Sequence, residues 1–375
     1  MALTLGVLQE TTAGENRVAL VPEVVSKFKA AGARVVIQRG AGTRAQFPDQ
    51  SYGDAEFVAT ADEVLSQADI LLKVQPPTTQ ELAGLKPGAV VIGFMQAHNR
   101  PEMVKALRDR NLTAFSVELI PRISRAQSMD ALSSQAAVAG YKAALLAAIT
   151  LDKFFPMLTT AAGTIRPAKV LVVGAGVAGL QAIATAKRLG AIVEAYDVRS
   201  ATREQIKSLG AKFVETGVSA EGQGGYAREL TPEEIAKQQE VLEKHVAEAD
   251  AVITTAAIPG RTSPRIIRKE AVARMKAGAV IIDIAAEGGG NCELTRAGET
   301  VLVNGVKIVG PVNLPSQLPF HASEMYARNL LNFLLPALKQ GELKIDWTDE
   351  VFAGAVLTHA GAIKHEPTRK LVEGA

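Results

Sequence analysis

From Lys169 to Asp197 the chain reads KVLVVGAGVAGLQAIATAKRLGAIVEAYD, and no other stretch restricts the fold so closely. A valine-rich run makes a strand, and Gly174, Gly176 and Gly179 follow at G-x-G-x-x-G spacing. Apolar residues then recur at helical period up to Gly190, and a second apolar run ends at the acid Asp197. Each glycine has a mechanical reason. Gly174 permits a tight turn, Gly176 lets backbone approach a pyrophosphate, and Gly179 lets helix meet strand, while free N–H groups at the helix N-terminus favour phosphate oxygens. A carboxylate at Asp197 accepts both ribose hydroxyls of an adenosine and repels a 2′-phosphate, which predicts NAD(H) rather than NADP(H). Arg199, two residues on, is either a cation for that 2′-phosphate or a surface partner for Asp197 or Glu204.

Such a unit belongs in a parallel sheet, and the rest of the chain alternates short Val, Ile and Leu runs with helical segments in the same way. Before it, strands are expected near residues 3–8, 34–38, 69–74, 89–94 and 112–117, with helices near 22–31, 61–67, 79–85 and 101–110. After it, strands are expected near 212–215, 251–255, 280–284 and 301–309. The fold class is therefore α/β, two Rossmann-like domains with doubly wound parallel sheets and a cleft between them. ADILLKV and KPGAVVIG, starting at 69 and 86, echo ADAVITTA and KAGAVIID, starting at 250 and 276. The echo is either a true repeat or the common vocabulary of two parallel sheets. Beyond Leu314 lie an apolar helical stretch, 327–338, and irregular chain with no sheet of its own, a segment expected to pack back on the first domain. Residues 1–134 with 312–375 would form one domain and 135–311 the other, bridged by long helices near 130–153 and 324–338.

With 375 residues, 47% hydrophobic and 21% charged, the chain has material for two such cores. Its 41 basic and 39 acidic residues leave a scattered net charge of +2, no footprint for nucleic acid or for an anionic membrane surface. Cys292 stands alone, so no internal disulfide and no metal site built on thiolates is expected. The N-terminus lacks the basic start and apolar core of a secretory signal. The Ala-rich stretch 136–151 carries Lys142 and falls short of about 20 apolar residues, so it reads as a buried helix rather than a membrane span. The chain is expected in the cytoplasm, and a membrane would enter only through a partner.

Hydride chemistry usually needs a proton donor or acceptor nearby. None of the five histidines has a setting that demands catalysis: His98 reads as a helix-entry residue, His245 as solvated surface, and His359 and His365 as part of the irregular tail, with His321 the fifth. More specific is the loop ELIPRISRAQSMDALSSQ, residues 118–135. Arg122 and Arg125 can clamp a carboxamide, phosphate or acid, Gln127 can pair with a nicotinamide carboxamide, and Asp130 can orient either. Equally, Ser128 or Asp130 caps the following helix and the arginines face water. TAAIPG at 255–260 and AAEGGGN at 285–291 follow strands and are candidate walls of the nicotinamide side. GVSAEGQGGYAR at 217–228 is either a lid carrying Tyr226 or a plain flexible connection.

RISRAQSMDALSSQ, the glycine-rich segment, YDVRSATREQ, TTAAIPG and AEGGGNCEL together resemble, over nearly the whole chain, the NAD(H)-binding subunit of proton-translocating nicotinamide nucleotide transhydrogenases. The resemblance implies hydride transfer from NADH to NADP⁺ held on a partner subunit, with Arg122, Gln127 and Asp130 as the positioning loop. Nucleotide contacts carry over to Gln127, Ser128, Met129, Asp130, Ser133, Val177, Asp197, Val198, Arg199, Gly225 and Ala257, beside Gly174, Gly176 and Gly179, and the mobile-loop tyrosine to Tyr226. Direct transfer between two nicotinamide rings moves no proton at that site, which accounts for the lack of an evident acid or base. The resemblance further implies a homodimer, a partner NADP(H)-binding domain, and membrane-spanning subunits, supplied as separate polypeptides, that hold the chain at the inner face of the cell membrane.

The competing resemblance is to alanine dehydrogenase. Arg17 in ENRVAL and Lys73 in LLKVQPP match its substrate-binding arginine and lysine, but its catalytic His falls on Gln96 and its catalytic Asp on Glu287, with His98 close by. Without the imidazole, amino-acid oxidation lacks its proton acceptor. A third possibility is an NAD-binding module without turnover of its own.

Overall fold

The computed structural model describes residues 2–53, 55–220, 228–257 and 260–374, and the chain divides into two compact units, Met1–Gln135 with Ser316–Ala375, and Ala136–Pro315. Unit 1 opens with β1 (Thr4–Val7), α1 (Pro22–Ala30), β2 (Arg34–Gln38), β3 (Glu56–Val58), α2 (Ala61–Gln67), β4 (Ile70–Leu72), α3 (Thr79–Gly84), β5 (Val90–Gly93), α4 (Pro101–Asp109) and β6 (Thr113–Ser116). Local chemistry sets the helix starts. Pro22 and Pro101 occupy first-turn positions where no N–H is missed, and α2 and α3 begin with capping boxes, Thr60 with Glu63 and Thr78 with Glu81.

The chain enters unit 2 along α5 (Ala131–Thr150). There follow a hairpin of β7 (Leu158–Thr160) and β8 (Gly163–Ile165), then β9 (Lys169–Val173), α6 (Val177–Arg188), β10 (Ile192–Tyr196), α7 (Arg203–Ser208), β11 (Lys212–Phe213), α8 (Pro232–Glu248), β12 (Ala251–Thr254), α9 (Lys269–Ala273), β13 (Val280–Asp283), β14 (Thr300–Val303) and β15 (Val306–Val309). The main sheet has the order β11-β10-β9-β12-β13-β15-β14, parallel except for β14. Successive strand residues point into opposite cores. Val170, Val172 and Ile253 face one with α5 and α6, and Leu171, Val173 and Val252 face the other with α8 and α9, as a sheet covered on both faces requires.

The return to unit 1 adds α10 (Pro319–Leu334), a short hairpin of β16 (Leu338–Lys339) and β17 (Glu342–Leu343), α11 (Glu350–Ala355), β18 (Val356–His359), β19 (Ala362–Ile363) and α12 (Glu366–Glu373). Its main sheet runs β19-β18-β6-β5-β4-β1-β2-β3, with β18 antiparallel to β6.

Three expectations need correction. The tail is not irregular: β18 extends the first sheet, because Val356 and Leu357 are buried against it. The single last strand expected at 301–309 is a hairpin, turned by Asn304 and Gly305 at φ 50° and 80°, the conformation a two-residue loop demands. The Ala-rich helix is only partly buried, with 33% of its most apolar window covered, although it is long and apolar enough to pass for a membrane span.

Candidate nucleotide site

In unit 2 the chain direction reverses between β9 and β12, and the loops that leave their C-terminal ends form the crevice where doubly wound sheets hold ligands. Gly174 begins the first loop. It stands at φ 96°, its N–H donates to Tyr196 O at 2.8 Å, and a Cβ would strike the Thr255 side chain at 2.7 Å. Gly179 lies in the first turn of α6, where a Cβ would overlap the Gly174 carbonyl oxygen, so helix and turn pack backbone to backbone. Gly176 caps α6 in extended conformation, and a methyl placed on its Cα would have none of the described residues within 4 Å. The backbone at the start of α6 is therefore uncrowded by the described residues, and the N–H groups that open a helix have a polarity that suits phosphate oxygens. Val177, the first residue of the helix, is exposed.

Neighbouring loops fix this turn. Thr255 Oγ1 donates to Gly174 O at 3.0 Å, and Asn291 clamps the next residue by accepting from Ala256 N–H (2.9 Å) and donating to Ala256 O (2.7 Å) and Pro264 O (2.8 Å). Asp283, wholly buried, accepts from Thr254 Oγ1, Thr295 Oγ1 and the N–H groups of Asn291 and Cys292 at 2.6 to 2.9 Å. Sequence reasoning missed Asn291 and Asp283 as braces. Asp283 had a signal, a polar residue ending an apolar run, whereas Asn291 after three glycines had none. Of the proposed walls, Ala257 is exposed, while Ile258 and Pro259 lie outside the described residues, as do Gly225 and Tyr226 of the proposed lid.

Asp197 directly follows β10 and is buried. Its Oδ2 accepts from Ala175 N–H (2.7 Å), tying the acid to the glycine turn, and from Arg199 Nη2 (2.7 Å). Oδ1 accepts from Arg199 N–H (2.9 Å) and Nε (2.8 Å). Of the two roles open to Arg199, the structure has it partnering Asp197. Val198 between them is half-buried.

The loop at 122–130 belongs to unit 1. Arg122, Gln127 and Ser128 are exposed and Met129 is buried. Asp130 caps α5, accepting from Ser133 N–H (2.8 Å) and Ser133 Oγ (2.6 Å). Arg125 pairs with Asp349 at 2.6 Å instead of facing water alone. Two asparagines on α10 that sequence reasoning did not single out carry the loop: Asn329 and Asn332 both donate to Ser128 O, at 2.9 and 3.1 Å.

Three of the five histidines pair with side chains away from this loop. His245, expected as solvated surface, is only 24% exposed and lies 2.6 Å from Glu194 of β10, which faces it. His359 reaches Thr113 Oγ1 at 3.0 Å and His365 Thr368 Oγ1 at 2.8 Å, while His98 and His321 are exposed. At the reversal point of the unit 1 sheet, between β1 and β4, lies a buried ionic cluster. Lys73 meets Glu81 at 2.9 Å and Glu10 at 3.1 Å, Arg17 meets Glu15 at 2.7 Å and Gln135 Oε1 at 2.8 Å, and Tyr326 donates to Lys73 O at 2.7 Å. Burial pushes the Glu10 carboxyl above its ordinary range against the pull of Lys73.

Family models for the alanine dehydrogenase/PNT N-terminal domain and C-terminal domain match residues 6–139 and 143–366. The chain belongs to the alanine dehydrogenase/PNT family. Within it, the chain is 47% identical to an NAD(P) transhydrogenase subunit alpha polypeptide of Rhodospirillum rubrum, over 97% of this chain and 98% of that one. A solved transhydrogenase from Sinorhizobium meliloti superposes with TM-score 0.88 at 45% identity, covering 96% and 99% of the two chains. An L-alanine dehydrogenase structure follows at TM-score 0.82 and 25% identity, covering 99% of each. This member of the family is thus an oxidoreductase component of the transhydrogenase alpha type. Where the alanine dehydrogenase resemblance seats a catalytic His, it has Gln96, held in the left-handed region at φ 47° with its N–H on Glu118 (2.8 Å). Where the catalytic Asp would be, Glu287 accepts from Asn313 N–H at 3.2 Å.

Proposed function

We propose that unit 2 binds NAD(H) and that the chain, as the alpha component of a proton-translocating transhydrogenase, presents the nicotinamide for direct hydride exchange with NADP(H) held by a partner subunit. The observation that carries this reading is the open Gly176 face at the start of α6, backed by the buried acid Asp197 on the same turn. The residues present fit a dinucleotide: the N–H groups beyond Gly176 would hold the pyrophosphate and Asp197 the adenosine ribose. The bound nicotinamide supplies the hydride. The chain's own part is orientation, for which Arg122, Gln127 and Asp130, with Ser128, Met129 and Ser133 around them, are the proposed residues, with Val198, Gly225, Tyr226 and Ala257 further proposed contacts and Arg199 brought to the ribose by its pairing with Asp197. A reaction that moves no proton at this site asks for no poised histidine.

The chain is proposed to act as a homodimer, bound through its partner subunits to the cytoplasmic face of the membrane. Apolar side chains left uncovered along α5 and the hairpin after it support a second copy: Ile149 is 82% and Met157 63% exposed, with Phe154, Leu158 and Ile165 beside them in sequence. The β7–β8 hairpin buries none of its strand residues, and two strands alone are marginal in water.

The test mixes purified chain with NADH and an oxidised NADP⁺ analogue, with and without the NADP(H)-binding subunit, beside a control of NAD⁺ and L-alanine. Transfer only with the partner is expected. Reduction of NAD⁺ by alanine would overturn the reading. Asp130→Asn, which keeps a capping side chain, should slow transfer with the fold intact.

A further inference from the structure

We propose that Arg199 is a built-in competitor for the adenosine ribose, so that displacement of its guanidinium sets both nucleotide affinity and the choice between NADH and NADPH. The proposal rests on the assignment of Asp197 as the ribose acid. A carboxylate offers about four lone-pair sites. On Asp197 all are engaged: Ala175 N–H and Arg199 Nη2 on Oδ2, Arg199 N–H and Nε on Oδ1. Two ribose hydroxyls can dock only by evicting two donors. The Ala175 and Arg199 N–H groups are main chain, and the first belongs to the glycine turn itself, so neither leaves without undoing the site. What can leave is the guanidinium fork, which gives up one acceptor on each oxygen, as a 2′-hydroxyl and a 3′-hydroxyl need. Arg199 is placed for it, 19% exposed beside an acid that is 6% exposed.

Two consequences of opposite sign follow. The fork must be lost before NADH binds, so removing it favours NADH. The displaced cation then stands beside the ribose, where it offsets the repulsion between Asp197 and a 2′-phosphate. Removing it therefore disfavours NADPH. Mere structural damage would weaken both.

The experiment is fluorescence titration of the full chain with NADH and with NADPH, for the wild type, Arg199→Ala, Arg199→Lys, Asp197→Asn and the Arg199→Ala/Asp197→Asn double variant. Arg199→Ala is expected to lower the NADH Kd about three- to tenfold while raising that for NADPH, because a charge-assisted fork no longer competes. Arg199→Lys, which keeps the charge but loses the fork, should fall between. In the Asp197→Asn background the NADH gain should vanish. An NADH Kd unchanged or raised in Arg199→Ala overturns the proposal, and if that variant loses its circular-dichroism spectrum, the same result in Arg199→Lys does so. A wild type that fails to bind NADH, or Asp197→Asn binding it as tightly as the wild type, overturns the ribose-acid assignment and the proposal with it.

Discussion

In unit 1 the strand β1 lies between β2 and β4, and in unit 2 β9 lies between β10 and β12, so each sheet reverses next to its first long strand. The match extends to side chains. Asp69 and Asp250 each accept the N–H of the residue that opens the neighbouring strand, Thr4 and Lys169, at 2.9 Å. Lys86 and Lys276 each pair with that acid, at 3.1 and 3.3 Å, and each donates to the carbonyl two residues before it, Gln67 and Glu248. The sequence echo that begins at 69 and 250 is thus the repeat of one brace. The units part company at the reversal point. Unit 2 strips side chains from the turn after β9 and leaves the N-terminus of α6 open. Unit 1 fills the corresponding place with Glu10, Glu15, Arg17 and Lys73, paired among themselves. A shared scaffold therefore says little about ligand. The loop that leaves the first strand decides whether the crevice is a site or a plug.

The largest effect expected from breaking this contrast is in unit 1. Lys73→Ala leaves Glu10 and Glu81 buried without their cation, which should cost about 3–5 kcal/mol. Affinity for ADP-ribose, a probe of the nucleotide turn alone, should hold at temperatures where the protein is folded. Calorimetry beside ADP-ribose titration checks both, and a variant as stable as the wild type would show that the cluster is not the plug described.

In unit 2 two glycines separate fold from binding. Gly179→Ala drives a methyl into the Gly174 carbonyl oxygen and should cost about 1–3 kcal/mol as well as nucleotide binding. Gly176→Ala meets none of the described residues and should leave the melting temperature unchanged while still weakening binding, since the methyl would stand where the phosphate approaches. Equal loss of stability in the two variants would contradict this division.

What the sequence made legible was local. β9, α6 and β10 lie where the glycines and the terminal acid put them, because the turn, cap and strand signals are all within thirty or so residues of each other. The α5 cap and a ligand-orienting acid use the same residue type, so Asp130 could not be assigned from spacing alone. The Asn304–Gly305 turn was readable but overshadowed by the valines either side. β18 was not readable, since four residues become a strand only by meeting β6, far upstream, and nothing near Val356 signals that partner. Asn291, Asn329 and Asn332 were hidden for the same reason: a polar side chain becomes a brace through the loop that arrives beside it.

The smallest expected effect tests the plug against the brace by pH. Burial pushes the Asp250 carboxyl up, but the Lys153 ammonium at 2.8 Å, the Lys169 N–H and Lys276 outweigh it and hold the group below its ordinary 3.8. Its folded value is lower than its unfolded one, so its contribution is present above 3.8 and is lost as pH falls through the folded value. Glu10 runs the other way. Burial raises it above 4.5, so its contribution is complete below 4.5 and is lost as pH rises through the folded value. Acidification from pH 4.5 toward about 3 should therefore loosen unit 2 and spare the unit 1 cluster, by under about 1 kcal/mol for Asp250 alone. Hydrogen exchange followed separately on β9 with β12 and on β1 with β4 reads this out. Asp250→Asn should abolish the acid response of the first pair, and Glu10→Gln should remove the loosening of the second as pH rises. If both pairs loosened together on acidification, the carboxylates of the two units would not differ in the way their surroundings require.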